Sequence, residues 1–169
     1  MFSYKLLFFL PLISTIFTYP FGVLLGDKTA QYFSSTLISI AAILSWFLFI
    51  SFSMSPSPEI IIPVLEWFLV SGQFFNWGIS VNSLTLLMLT LVLTVSALVH
   101  IYSIEYMAHD NSKVRFMTYL SLFTFCMVAL VVSDNLIQLF FGWEGVGLAS
   151  YLLIGFWHHK KPANLSAMK

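Results

Sequence analysis

The sequence predicts an all-α membrane protein with five transmembrane helices and a short surface hairpin between the second and third helices. Its composition is the first observation behind this prediction. Only 8% of its 169 residues are charged and 59% are hydrophobic, whereas about 25% of the residues in a soluble domain are charged. The second observation is a set of five apolar stretches, each near the roughly 20 residues that a helix needs to cross a bilayer.

The five predicted spans cover residues 6–25, 32–52, 83–104, 116–133 and 135–157, and together they make residues 1–169 a single transmembrane region. Gly26, Asp27 and Lys28 separate the first two spans, which predicts a helical hairpin. The last two spans are joined by little more than Asp134, which predicts a very tight turn.

The segment at residues 59–79 differs from the spans on either side. It contains Pro63, Gly72 and Gly78 among aromatic residues. Proline and glycine interrupt a helix, and aromatic residues are typical of the membrane interface. We therefore predict a short pair of strands at the membrane surface.

Charge and cysteine content exclude several classes of function. Seven basic and seven acidic residues give a net charge of zero, so no basic surface is available for nucleic acid. Cys126 is the single cysteine and cannot form an internal disulfide or a cysteine cluster for zinc or iron–sulfur. We expect a buried, inert thiol.

Basic residues predict how the helices are oriented. One side of the predicted spans carries only Lys5, and the other carries six basic residues: Lys28, Lys113, Arg115, Lys160, Lys161 and Lys169. Because short loops rich in lysine and arginine stay on the cytoplasmic side, we expect the tail in the matrix or cytoplasm. The N-terminus and the hairpin would then face the opposite compartment.

Glu144 is the one side chain well inside a predicted span that is ionised at neutral pH. A carboxylate at the bilayer centre costs about 2.5–3.5 kcal/mol on insertion scales, so such residues face protein or water and often handle protons. Gly142, Gly145 and Gly147 surround it and would let neighbouring helices pack closely. The alternative is a protonated glutamate that only bonds a neighbouring helix.

The histidines give a weaker signal. All four lie at predicted helix ends or in loops, which disfavours a haem held by two histidines inside the bilayer. His100 falls near Tyr102, Ser103 and Glu105, so we expect a polar cluster where a proton could reach the third helix. The alternative is that His100 only anchors the helix at the interface.

Three strings of residues resemble one known family. They are DNLIQLFFGWEGVGLASYLLIGFW at 134–157, ALVHIYSIEYM at 97–107 and RFMTYLSLFTF at 115–125. They resemble the NADH dehydrogenase subunit 5 family, the distal antiporter-like membrane subunits of respiratory complex I. The resemblance runs over the whole chain and is strongest from residue 82 to residue 157.

The resemblance implies a role in proton translocation. In the family, the glutamate that matches Glu144 pairs with a lysine on the seventh helix, and this pair is thought to tune proton movement. His100 carries over only as a possible part of the polar region through which protons enter. The complex uses FMN, iron–sulfur clusters and ubiquinone, but the resemblance implies no cofactor in this chain.

Family members have about fifteen helices, including two inverted repeats that each contain a broken helix. The sequence here resembles only the first five helices, so we expect the N-terminal part of a split subunit, completed by a separately encoded chain that carries the lysine. Other expected partners are complex I membrane-arm subunits, including subunit 4, and membrane lipids. No nucleic acid is expected.

The expected location is the mitochondrial inner membrane, with the N-terminus in the intermembrane space and the C-terminus in the matrix. A bacterial inner membrane is the alternative. Two other functions remain open: a structural membrane-arm subunit without a pumping role, and a fragment of an Mrp-type sodium/proton antiporter.

Overall fold

The computed structural model describes residues 2–54, 58–70 and 73–168. Within these ranges the chain forms six helices and one antiparallel pair of strands. In chain order they are α1 (Phe2–Leu25), α2 (Asp27–Met54), β1 (Ile60–Val70), β2 (Gln73–Val81), α3 (Ser83–Tyr106), α4 (Lys113–Val131), α5 (Leu136–Ile154) and α6 (Lys161–Ala167). The predicted turn residue Gly72 and the predicted tail residue Lys169 lie outside the described residues.

The predicted fold class is confirmed. Helices α1 to α5 are each long and apolar enough to cross a membrane, and β1 pairs with β2 between α2 and α3. The chain is therefore a multi-pass membrane protein. The short helix α6 is an element that the sequence analysis did not predict.

The observed helices differ from the predicted spans mainly at their ends. Helix α2 begins at Asp27 rather than at residue 32, because a helix continues past the apolar layer that defines a span. Only Gly26 separates it from α1, with φ of +95°, a conformation that favours glycine. Helix α5 ends at Ile154, and the chain turns there rather than continuing to residue 157.

Helices α1 to α4 form the core of the bundle. Helix α1 packs against α2 and α4, and α3 packs against α2 and α4. Apolar side chains from all four helices fill the space between them, among them Leu7, Ile38, Leu86, Leu93 and Val128. Helix α5 lies outside this core and packs on α4 and α6.

The strand hairpin caps one end of the bundle. Ile62, Ile79 and Val81 are buried and belong to the same apolar core as the helices. The amide of Ser80 donates a hydrogen bond to the carbonyl oxygen of Val132, just after α4, at 2.8 Å. The hairpin is thus held at this end of the bundle both by apolar contacts with the helices and by a backbone hydrogen bond.

Gln138 joins the hairpin to α5. Its side chain is 1% exposed; Oε1 accepts from the amide of Gly78 at 3.2 Å, and Nε2 donates to the carbonyl of Gly78 at 2.9 Å. The N-cap residue Asn135 accepts from the amide of Gln138 at 2.9 Å, which fixes the first turn of α5. One glutamine therefore satisfies two buried backbone groups of β2.

We predict that Gln138→Leu loosens the hairpin and lowers the free energy of unfolding by about 2–4 kcal/mol, because the amide and carbonyl of Gly78 lose their partners. Unfolding in a mixed-micelle denaturant titration measures the loss, and hydrogen exchange at Gly78 locates it. Gln31→Leu is the matched control, since Gln31 is also buried and its Nε2 has no hydrogen-bond partner in the described structure. An equal loss in both variants would contradict a specific role for Gln138.

Candidate functional site

Two glycines set the distance between α4 and α5. A Cβ atom on Gly142 would lie 2.7 Å from Cα and 2.8 Å from N of Leu130, so the two backbones touch there. A Cβ atom on Gly145 would lie 2.7 Å from Sγ of Cys126. Small residues at helix interfaces allow this close approach in membranes. Helix α5 is therefore held on α4 by its glycine face.

Gly147 does not take part in this contact. No atom of the described structure lies within 4 Å of a Cβ built on it. The residue points away from α4, toward space that this part of the chain leaves open. Its predicted packing role would require a neighbour from outside the described residues.

Glu144 lies next to the glycine face and is exposed in the described structure. It borders an open groove of about 480 Å³ between α4, α5 and the hairpin. Apolar side chains make up most of the wall, including Trp77, Phe125, Phe141 and Leu148. No described residue forms a hydrogen bond or an ion pair with Glu144.

The rest of α5 is also sparsely covered. Only Gln138, Gly142 and Ala149 are buried on this helix, whereas α3 buries eight residues. Large apolar side chains on α5 are exposed, with Leu136 at 81% and Trp143 at 66%. Glu144 thus lies on a helix surface that the described residues leave open.

His100 occupies a different place from Glu144. Its side chain is 0% exposed and lies where α1, α2, α3 and α4 meet. Its Nε2 is 3.2 Å from Oγ of Ser121 on α4. Ser121 in turn contacts the hydroxyls of Ser14 on α1, at 2.9 Å, and Ser34 on α2, at 2.8 Å. We call these four residues the Ser121 cluster.

The carbonyl of Ser96 allows one consistent order of hydrogen bonds in the cluster. Nδ1 of His100 is 2.8 Å from the carbonyl oxygen of Ser96, and because a carbonyl only accepts, Nδ1 carries a hydrogen. In the neutral ring Nε2 then accepts from Ser121. Ser14 donates to Ser34 at 3.1 Å, and Ser34 can donate to Ser121. This order gives each hydroxyl an acceptor and links four helices through one imidazole.

The prediction that His100 belongs to a polar cluster at the end of α3 is wrong. Residues 100 and 103 lie on the inner face of the helix, whereas Tyr102 and Glu105 lie on its outer face and are exposed. Ser103 bonds the carbonyl of Val99 within its own helix at 2.7 Å. The alternative that His100 only anchors α3 at the interface is also wrong, because the ring is fully buried.

The serine partners of His100 could not be predicted from the sequence. Serine is common in helices that span membranes, and nothing in the sequence near Ser14, Ser34 or Ser121 distinguishes it. The pairing depends on how α1, α2 and α4 are rotated against α3. The one available signal is that helical wheels would place these small polar residues on the inner faces of their helices.

Several charged contacts lie at the end of the bundle opposite the hairpin. Lys113 pairs with Asp27 at 3.6 Å. Asp110 accepts from the indole Nε1 of Trp157 at 3.0 Å and from the amide of Ser112 at 2.7 Å. The hydrogen bond from Trp157 and, to a lesser degree, the one from Ser112 lower the pKa of Asp110 below its usual value.

The described residues contain no group of three histidine, cysteine or acidic side chains placed to hold a metal ion. Cys126 is buried against Gly145 as a free thiol.

Two family models match the chain. Residues 67–117 match the N-terminus of chain 5 of NADH-ubiquinone oxidoreductase (complex I), and residues 133–169 match the transmembrane family NADH:quinone oxidoreductase/Mrp antiporter. The second match includes Glu144 and the glycine face of α5, and the first includes His100.

Similar proteins come from several different organisms. The chain is 48% identical over 153 residues to NADH-quinone oxidoreductase subunit L of Rhodobacter capsulatus, covering 86% of this chain and 21% of the relative. It is 44% identical over 167 residues to NADH-ubiquinone oxidoreductase chain 5 of Chondrus crispus, and 44% over 168 residues to that of Arabidopsis thaliana, covering 98% of this chain and 25% of each relative. The chain thus spans about a quarter of the length of these relatives.

We predict that Gly142→Ala separates α4 from α5, because the new methyl group meets the rigid backbone of Leu130. Overpacking of this kind costs about 1–3 kcal/mol. Electron paramagnetic resonance distances between spin labels on the two helices, together with thermal unfolding, measure the effect. Gly147→Ala is the control, since its methyl group enters open space, and it should leave both quantities unchanged. A Gly142→Ala variant that matches this control would contradict the close contact.

Proposed function

The chain is a homologue of NADH dehydrogenase subunit 5/L, and we propose that it forms the N-terminal part of the antiporter-like, proton-translocating subunit of an NADH:quinone oxidoreductase. The observation that carries the proposal is Glu144, an ionisable residue within a membrane-spanning helix, on a face that the described residues leave open. The homology supports the type of complex, and the position of Glu144 supports a role in moving protons.

A carboxylate on an open helix face has to be covered by protein or water. Left against hydrocarbon, an ionised Glu144 would cost about 2.5–3.5 kcal/mol. The groove beside it is apolar and supplies no cation. We propose that the remaining helices of the antiporter-like subunit cover this face and provide a lysine that pairs with Glu144. The resemblance of residues 134–157 to the family supports this partner.

Glu144 would act through its charge. When a proton moves near the lysine, the strength of the ion pair changes, and the carboxylate can stabilise or release the positive charge. The glycine contacts with α4 hold the helix that carries Glu144 in place. In this proposal the chain moves no electrons, and FMN, iron–sulfur clusters and ubiquinone are bound elsewhere in the complex.

His100 is the second residue that we propose for handling protons. The hydroxyl chain from Ser14 through Ser34 and Ser121 reaches its Nε2, and such chains can pass protons by exchanging their hydrogen bonds. The same contacts suit a purely structural link between four helices. Substitution by glutamine separates these functions, because it retains hydrogen-bonding groups but does not titrate.

We place the protein in the mitochondrial inner membrane, with the N-terminus and hairpin in the intermembrane space. The positions of the basic side chains support this orientation, because Lys28, Lys113 and Arg115 lie at the end of the bundle away from the hairpin. A bacterial inner membrane is the alternative. The proposed partners are the rest of the subunit 5 fold, other membrane-arm subunits such as subunit 4, and lipids.

Two alternative functions each have one supporting observation. A structural membrane-arm subunit is supported by the close packing of Gly142 and Gly145 on α4, because Glu144 on the same helix could then serve only to bond an adjacent helix. A sodium/proton antiporter of the Mrp type is supported by the family match at residues 133–169, whose description covers both kinds of protein. Co-purification with NADH:quinone reductase activity separates the second alternative from the main proposal.

We predict that Glu144→Gln leaves the complex assembled but lowers proton translocation and the coupled oxidation of NADH, because the variant keeps the size of the side chain and loses its charge. Glu144→Asp should retain more activity. Proton uptake and NADH oxidation in membrane vesicles measure both effects, and His100→Gln belongs in the same assay. Glu105→Gln, which removes an exposed carboxylate at the end of α3, is the control.

An assembled Glu144→Gln complex with unaltered turnover and an unaltered ratio of protons to electrons would contradict the proton role. Glu144 would then be a packing residue, as in the structural alternative. Loss of assembly in the Gln variant but not in the Asp variant would also favour the structural role.

A further inference from the structure

A second pocket lies at the end of the bundle away from the hairpin. It has a volume of about 450 Å³ and is enclosed by the start of α4, the end of α5 and α6. Its polar wall consists of five side chains: Arg115, Tyr119, Tyr151, His158 and Asn164. It shares no residue with the groove at Glu144. Nothing in the proposed proton pathway uses it.

The guanidinium of Arg115 has unused hydrogen-bonding capacity. Its Nε is buried and has no hydrogen-bond partner in the described structure. The group is held in place by the ring of Phe156, whose centroid lies 4.9 Å from Cζ. A buried donor without a partner destabilises the folded protein, so a bound acceptor would remove that penalty.

The nearby carboxylates form no ion pair with Arg115 in the described structure, although the charges of Asp110 and Arg115 attract each other through space. Asp110 is engaged by Trp157 and Ser112, and it forms no ion pair with Arg115 among the described residues. Arg115 also borders a neighbouring groove that contains Asp27, but that carboxylate pairs with Lys113. The positive charge of Arg115 therefore has no bonded counter-ion within the described structure.

The remaining polar groups of the pocket can all donate hydrogen bonds. The hydroxyls of Tyr119 and Tyr151 have no hydrogen-bond partner among the described residues, and Nδ2 of Asn164 donates to the carbonyl of His158 at 2.7 Å. No carboxylate lines the pocket. Outside it, the ammonium of Lys160 lies 4.6 Å from the ring of Trp157 and adds positive charge at this end of the bundle.

We propose that this pocket binds a phosphate group, either the phosphodiester of an anionic phospholipid or free inorganic phosphate. A guanidinium matches the oxygen atoms of phosphate with two parallel hydrogen bonds, and the tyrosine hydroxyls can reach further oxygens. Basic pockets between membrane helices on the matrix or cytoplasmic side have this chemistry. The volume is ample for one phosphate group. The site is independent of the proton role proposed for Glu144.

The test uses the protein purified with the complex in which it assembles, reconstituted in nanodiscs. One set contains phosphatidylcholine alone, and the other contains phosphatidylcholine with phosphatidylglycerol. Native mass spectrometry counts retained phosphatidylglycerol, and radiolabelled inorganic phosphate measures free phosphate binding. Arg115→Gln should weaken binding by about tenfold, which corresponds to the loss of one charge-assisted hydrogen bond. Lys28→Gln removes a cation on the same side outside the pocket and should leave binding unchanged.

The two probes identify the source of the phosphate. Binding of phosphatidylglycerol that inorganic phosphate does not displace indicates a lipid site, and displacement indicates a site for free phosphate. Equal binding by wild type and Arg115→Gln would overturn the proposal, as would equal losses in Arg115→Gln and Lys28→Gln. If the Arg115→Gln variant does not assemble, the Tyr151→Phe variant tests whether the pocket binds phosphate. It should weaken binding severalfold, whereas the exposed control Tyr102→Phe should not.

Discussion

The hydroxyl of Ser121 is the point at which four helices are joined, because it contacts Ser14 of α1, Ser34 of α2 and His100 of α3. In a bilayer, the apolar surfaces of helices have little preference for each other over lipid, so packing and buried polar contacts set how helices are rotated. The Ser121 cluster fixes the rotation of α1 to α4. Once α4 is fixed, its outer face presents Leu130 and Cys126, against which the glycines of α5 pack. Helix α5, which carries Glu144, therefore packs on the helix that contributes Ser121 to this junction.

The spans could be predicted from sequence because hydropathy responds directly to the bilayer. The hairpin could be predicted because Pro63 and Gly78 interrupt a helix. Glu144 could be identified as a candidate because a carboxylate inside the bilayer is costly. The ends of α2 and α5 could not be fixed in this way, because helices continue or stop according to local contacts such as that between Trp157 and Asp110. Residue Gly26 alone, with its positive φ, separates α1 from α2.

The surroundings of His100 were the main failure of the sequence analysis. Closeness in sequence does not make His100 and Tyr102 neighbours, because residues 100 and 102 point to opposite sides of a helix. Its actual partner Ser121 lies on another helix, so the contact depends on tertiary packing that one sequence does not reveal. The pocket at Arg115 could not be predicted for the same reason, since α6 forms part of it.

The most direct test of the proposed role is whether protein covers the face of α5 that carries Glu144. A photoreactive benzoyl-phenylalanine at Phe140, beside Glu144 on the open groove, would be illuminated in the native membrane and its products identified by mass spectrometry. The same probe at the exposed residue Phe47 of α2 provides the comparison. We predict that the probe at Phe140 crosslinks to protein of an NADH:quinone oxidoreductase membrane arm, more than the probe at Phe47 does. Crosslinking of Phe140 to lipid alone would contradict a covered, paired Glu144.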